Sequence, residues 1–113
     1  MISLHRLQSA KDFRMLFRFG RRRESDFFKL TVLPNNMPFS RFAFIAAKTV
    51  DKRAVVRNRL KRRSREWVRT HCFFPSPSVD IALFFKKSAA QATQKEFYKD
   101  LSLLFRDYEE HSK

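Results

Sequence analysis

Between positions 52 and 70 the chain carries nine lysines and arginines against one acid, Glu66, and holds neither glycine nor proline. Nothing in this stretch interrupts a helix, and arginine is among the better helix formers. Val56, Leu60, Ser64, Trp67 and Val68 recur at helical spacing, which predicts a narrow buried stripe on a helix over about 53–70. One side of that helix is held to a core and the other is offered outward. On the offered side Arg57, Lys61, Arg65 and Arg69 stand four apart as a basic ridge. Arg59, Arg62 and Arg63 widen it, and Lys52 and Arg53 extend it at the N-terminal end. A solvated helix normally interleaves signs, because like charges at i,i+4 cost stability. A polyanionic partner is expected to offset that cost. Arginine suits the task, since its planar fork donates two hydrogen bonds to a phosphate and stays charged.

The charge of the remaining chain sharpens this reading. The net charge is +14 and the pI about 10.9, yet residues 71–113 balance to zero, so more than half of the excess lies on the 19 residues 52–70. With 113 residues, 43% hydrophobic, and 14 phenylalanines, the chain has the material for a core and reads as a single domain over 1–113. A disordered basic tail would be poor in aromatics. Cys72 is the only cysteine, so no internal disulfide forms, and His5, His71 and His111 are too scattered for a Cys/His metal site. A reducing, cytoplasmic setting is expected. No run of 18 apolar residues is present and no secretory signal is apparent, so no membrane partner is expected.

The other elements follow from caps and periodicity. Ser9 with Asp12 marks a helix start, Phe13, Leu16 and Phe17 share a face, and Gly20 stands where a C-terminal cap belongs, which predicts a helix over 9–19. Residues 27–33 and 41–47 alternate as strands and are expected to pair as antiparallel neighbours across the turn-rich segment 34–38. A short strand near 22–25 carries a weak signal. Pro75 and Pro77 place a loop before a third long strand, in which Val79, Ile81, Leu83 and Phe85 alternate with Asp80, Ala82 and Phe84. Thr93 and Glu96 form a capping box ahead of an amphipathic helix over 93–109 bearing Phe97, Leu101, Leu104, Phe105 and Tyr108. The class is α+β.

The basic helix also has an ordered texture. Residues 54–66 read Ala-Val-Val-Arg-Asn-Arg-Leu-Lys-Arg-Arg-Ser-Arg-Glu. This run closely resembles the signature of the bacterial ribonuclease P protein subunit, with Arg57-Asn58-Arg59, Lys61-Arg62 and Arg65-Glu66 filling its places without a gap. The resemblance extends over nearly the whole chain, from Leu4–Arg6 and Lys11-Asp12-Phe13 through Phe17, Gly20 and the Arg41-Phe42-Ala43-Phe44 strand to the last strand and helix.

The resemblance implies an α/β sandwich of ribosomal-protein-like fold: helices on a four-stranded sheet, with a left-handed strand–helix–strand crossover through the arginine-rich helix. It implies a protein without catalytic residues that takes no small-molecule cofactor; nothing in the sequence indicates a dimer, so a monomer is expected. Its partners would be a large catalytic RNA and precursor tRNA, whose 5′ leader the RNA removes by magnesium-assisted hydrolysis, leaving a 5′ phosphate. The RNA-binding residues it implies are Lys48, Arg53, Arg57, Asn58, Arg59, Lys61, Arg62, Arg65 and Arg69. It places Phe13, Phe17 and Lys48 in a cleft for the single-stranded leader, between the first helix and the sheet, where bases stack on aromatic rings without sequence demands. Spacing alone reads Phe13 and Phe17 as core packing, so both roles stay open. Asn58, the one amide among cations, is either a plain surface residue or a group that orders Mg2+ or a leader phosphate. Glu66 is expected to pair with Arg62 or Arg63.

Some positions depart from the family pattern. Thr49 follows Lys48 where a second lysine is frequent, Thr31 occupies a frequent aromatic position, and Ala43 replaces a frequent glycine, so individual leader contacts are open. Two other function classes fit parts of the chain. A general structured-RNA-binding, ribosomal or DNA-binding protein would share the basic helix. A self-sufficient nuclease would need clustered acids beside that helix, and Glu109-Glu110 lies far along the chain.

Overall fold

A strand that is apolar on both faces has to be covered on both, and residues 79–85 are apolar at every position except Asp80. In the computed structural model, which describes residues 4–71 and 78–111 (107–111 as backbone only), this strand is the centre of the molecule. The chain runs β1 (His5–Arg6), α1 (Ala10–Phe19), β2 (Arg21–Glu24), β3 (Phe28–Pro34), β4 (Arg41–Ile45), α2 (Ala54–His71), β5 (Val79–Phe85), a 3-10 turn (Lys87–Gln91) and α3 (Gln94–His111). The sheet has five strands in the order β1-β4-β5-β3-β2.

Two expectations change. The strands at 27–33 and 41–47 are not antiparallel neighbours: β5 lies between them, antiparallel to β3 and parallel to β4. The doubly apolar β5 takes the covered central place, and the parallel β4–β5 pair is joined through α2, as parallel strands require a long crossover. The sheet also has five strands rather than four, because β1 adds two residues parallel to β4. Two residues are too few to show alternation. The weakly signalled strand near 22–25 is real and runs as β2 along β3. The loop expected at Pro75 and Pro77, and Cys72, lie outside the described residues.

Both faces of the sheet are covered. The larger core lies where α2 and α3 meet Phe28, Leu30, Val32, Phe42, Ile81, Leu83 and Phe85. The stripe on α2 is buried as its spacing predicts: Val56, Leu60, Ser64, Trp67 and Val68 all face inward. Each fully buried Leu or Phe contributes about 1.5–3 kcal/mol, which offsets the mutual repulsion of the arginines beside them. On α3, Phe97 and Leu101 are fully buried, and the capping box closes as read: Thr93 N–H donates to Glu96 Oε1 at 2.8 Å and Glu96 N–H to Thr93 Oγ1 at 3.1 Å.

On the opposite face the covering helix is α1. Leu16 is fully buried there with Leu7, Ala43 and Ala82. Cross-strand register puts Ala43, Ala82 and Thr31 in one row, and these small side chains leave the space that Leu16 fills. Ser9 caps the helix, accepting from Asp12 N–H, and Gly20 closes it, its N–H donating to Leu16 O at 2.8 Å.

Candidate nucleic-acid interface

The N-terminal turn of α2 carries no acid, so its free N–H groups and nearby cations have to be arranged by the preceding segment. Asp51 does this. It accepts from Arg53 N–H at 2.9 Å and from both arms of the Arg53 guanidinium at 3.1 Å. Those side-chain hydrogen bonds, with the backbone one, hold its carboxyl at about 2, below the usual carboxylate range. Arg57 turns back and donates to the carbonyls of Asp51 and Lys52, each at 2.9 Å. At the far end Arg69 Nη1 donates to Glu66 at 2.7 Å. Glu66 thus pairs with Arg69 instead of Arg62 or Arg63, one helical turn toward the C-terminus.

The ridge read from four-residue spacing is therefore engaged at its two ends and open in the middle. Arg59, Arg62 and Arg65 are exposed and Lys61 is partly so. The Arg65 guanidinium lies 5.6 Å from the Phe44 ring centre, and Arg63 lies 5.4 Å from that of Phe97, within cation–π range. Asn58 is exposed one turn before Lys61, and Lys48 is exposed in the turn ahead of the helix.

Phe13 and Phe17 occupy a position between the two roles left open for them. Both are half-buried, packed against the smaller core yet open on one side. Their rings stack with centroids 5.8 Å apart, and Phe17 meets Phe84 of β5 at 5.6 Å. Each ring walls a cleft. One, about 670 Å³, is bounded by Phe13, the β1 edge and β4, and is reached from α2 by Lys61 and Arg65. The other, about 560 Å³, is bounded by Phe17 and Phe84 and carries Arg22, Lys29 and Thr31. Glu24 also lines it, but its carboxyl is held low by a hydrogen bond from Lys86 and is paired with that ammonium. Stacked aromatic faces therefore stand between two sets of cations, one from α2 and one from β2 and β3. Ring faces flanked by cations are the kind of surface on which a single strand of nucleic acid can place its bases and phosphates.

Lys29, Arg22 and Phe84 were not singled out from the sequence. Lys29 and Phe84 face each other only through the β3–β5 register, which no local pattern reveals. Phe84 did announce itself weakly, as a bulky aromatic on the second face of β5. Among the described residues no group of three His, Cys, Asp or Glu side chains gathers to hold a metal ion, and no helix is long and apolar enough to cross a membrane.

Comparison with known proteins bears on the family and the fold. A family model described as Ribonuclease P matches residues 1–109. The ribonuclease P protein component of Coxiella burnetii is 30% identical over 108 residues, covering 96% of this chain and 88% of that one. That of Alkaliphilus metalliredigens is 30% identical over 106 residues, covering 94% and 95%. Among solved structures, the RNase P protein from Thermotoga maritima superposes with a TM-score of 0.77 at 25% identity, over 90% of this chain and 96% of that one. The Staphylococcus aureus protein superposes at 0.82, over 94% and 96%, at 21% identity, and so speaks to the fold.

Proposed function

The chain belongs to the ribonuclease P protein family, and from that premise we propose how its surface divides the work of maturing tRNA. It is the protein component of an endoribonuclease complex, with an RNA subunit as partner. In our reading α2 docks on that RNA through Arg59, Lys61, Arg62 and Arg65, with Lys48 beside them and Asn58 on the same helix. Arg53, Arg57 and Arg69 serve chiefly to shape the two ends of the helix. The stacked Phe13–Phe17 pair and its two clefts take the single-stranded 5′ leader of precursor tRNA. The observation that carries this reading is the pair of half-buried rings with cations on both sides.

Cleavage would then be the work of the RNA and Mg2+ bound to it, an ion that would activate the attacking water and stabilise the leaving oxygen of the scissile phosphodiester. Among the described residues no cluster of acids gathers to cage that ion. The amide of Asn58 is suited to a phosphate or to water held on a magnesium ion bound by the RNA. The protein acts as a monomer in the cytoplasm.

Reconstitution tests the reading. At low Mg2+ the protein should stimulate leader removal by a bacterial ribonuclease P RNA, and no stimulation would count against it. Cleavage by the protein alone, free of RNA, would overturn the assignment of chemistry to the RNA. Phe17→Ala should weaken binding of leader-bearing precursor by about 1–3 kcal/mol, the usual worth of a base–aromatic stack, and leave mature tRNA binding nearly unchanged. Equal losses for both would mean that Phe17 is core packing only.

A further inference from the structure

Asp80 is buried on the central strand, with its side chain 6% exposed, and a buried carboxylate requires a partner. Its partner is Arg41 on the adjoining strand. Arg41 Nε donates to Asp80 Oδ1 at 2.8 Å and Nη2 to Oδ2 at 2.7 Å, a bidentate pair. Asn35 Nδ2 adds a third hydrogen bond to Oδ1 at 2.8 Å. One arm of the guanidinium is left over, and it does not go to the sheet. Nη1 donates across to Asp12 Oδ2 at 3.1 Å, in the first turn of α1.

We propose that Arg41 and Asp12 are positioning residues for leader capture: their bridge fixes α1 over the sheet so that Phe13 and Phe17 stand above the clefts. This rests on the leader reading given above. Several contacts hold α1 to the sheet, among them the packing of Phe17 on Phe84. Leu16 is seated between Ala43 and Ala82 in the middle. At the C-terminal end Gly20 closes on Thr31, and Arg22 Nη2 donates to Phe17 O at 2.9 Å. At the N-terminal end the Asp12–Arg41 bridge is the polar tie. Phe13 follows Asp12 directly and Phe17 follows one turn later. The packing of Leu16 and Phe17 holds the middle and C-terminal half of the helix, and the bridge ties down the end nearer the Phe13 cleft.

Asp12 is the arm to remove. Its side chain is 31% exposed, and its loss leaves the buried Arg41–Asp80 pair intact. Reconstituted complexes with the catalytic RNA should be compared for binding of leader-bearing precursor tRNA and of mature tRNA, with the thermal midpoint of the protein measured alongside. Asp12→Ala is expected to weaken precursor binding about three- to tenfold, since small misplacements of a binding group cost this much or more, and to change mature tRNA binding less than about twofold, within measurement scatter. KM for leader removal should rise while kcat at saturating precursor holds. Asp12→Asn keeps an acceptor for Arg41 and should recover part of the loss. Equal weakening for both RNAs, no weakening, or a loss that Asp12→Asn does not recover would overturn the positioning role. A wild-type complex with no preference for the leader would instead overturn the leader reading itself, so the two failures are distinguishable.

Discussion

Raising monovalent salt from 50 to 200 mM should weaken the protein's binding to its RNA partner by about 250- to 1,000-fold. The expectation follows from counting cations that the fold leaves available. Lys48, Lys52, Arg59, Lys61, Arg62 and Arg65 lie on or beside α2, at least partly exposed, and make no ion pair among the described residues. Arg53 and Arg57 are engaged by Asp51 and its neighbouring carbonyls, and Arg69 by Glu66. Neutralising about six phosphates releases counterions so that log affinity falls against log salt with a slope of roughly −4 to −5. Single substitutions separate the available cations from the engaged ones. Arg62→Ala should reduce the slope by about 0.7–0.9, one phosphate's worth, whereas Arg69→Ala should reduce it less, because its charge is already shared with Glu66. A slope near zero would remove the polyanion reading altogether, and equal changes for Arg62 and Arg69 would remove the distinction drawn between the middle of the helix and its ends.

That distinction shows where the sequence stops being legible. The buried stripe of α2 was fully readable, because helical spacing alone decides which side chains share a face, and all five of its members point inward. The surplus of positive charge was readable too. What spacing could not show is that Arg57 folds back onto carbonyls and Arg69 reaches Glu66, since a long flexible side chain chooses among partners that only the folded neighbourhood supplies. The order of the sheet is hidden for a related reason. Residues 27–33 and 41–47 are near in sequence, and proximity favoured a hairpin. The sequence of β5 already held the contrary sign, apolar residues on both faces, which marks a central strand. The cleft cations Lys29 and Arg22 depend on register across three strands, and the bridge of Asp12 to Arg41 on a helix and a strand far apart in the chain. Long-range pairing of this kind leaves no periodic trace.

Gly20 is the position where a single methyl group should do the most damage to the fold. Its φ of −70° lies in the ordinary region open to any residue, so the glycine is not there for backbone freedom, as a left-handed helix cap would require. It is there for space. A Cβ at this position would stand 2.4 Å from the carbonyl oxygen of Leu16 and 2.7 Å from Thr31 Cγ2. The first of these is the oxygen that accepts the closing hydrogen bond of α1 from Gly20 N–H. It cannot withdraw without breaking that bond. Gly20→Ala is therefore expected to cost about 1–3 kcal/mol, the usual range for overpacking, and to lower the thermal midpoint by roughly 5–15 °C. Two further variants separate the causes. Gly20→Asn should be at least as damaging as Gly20→Ala, whereas a left-handed cap would accept asparagine. Thr31→Ser combined with Gly20→Ala should recover only part of the loss, because it clears the methyl of Thr31 and leaves the Leu16 oxygen in place. Full recovery would shift the constraint from the helix end to the strand beneath it. A Gly20→Ala protein as stable as wild type would mean that the end of α1 yields freely. In that case the helix would not be held closely enough over the sheet to keep Phe17 at the mouth of its cleft.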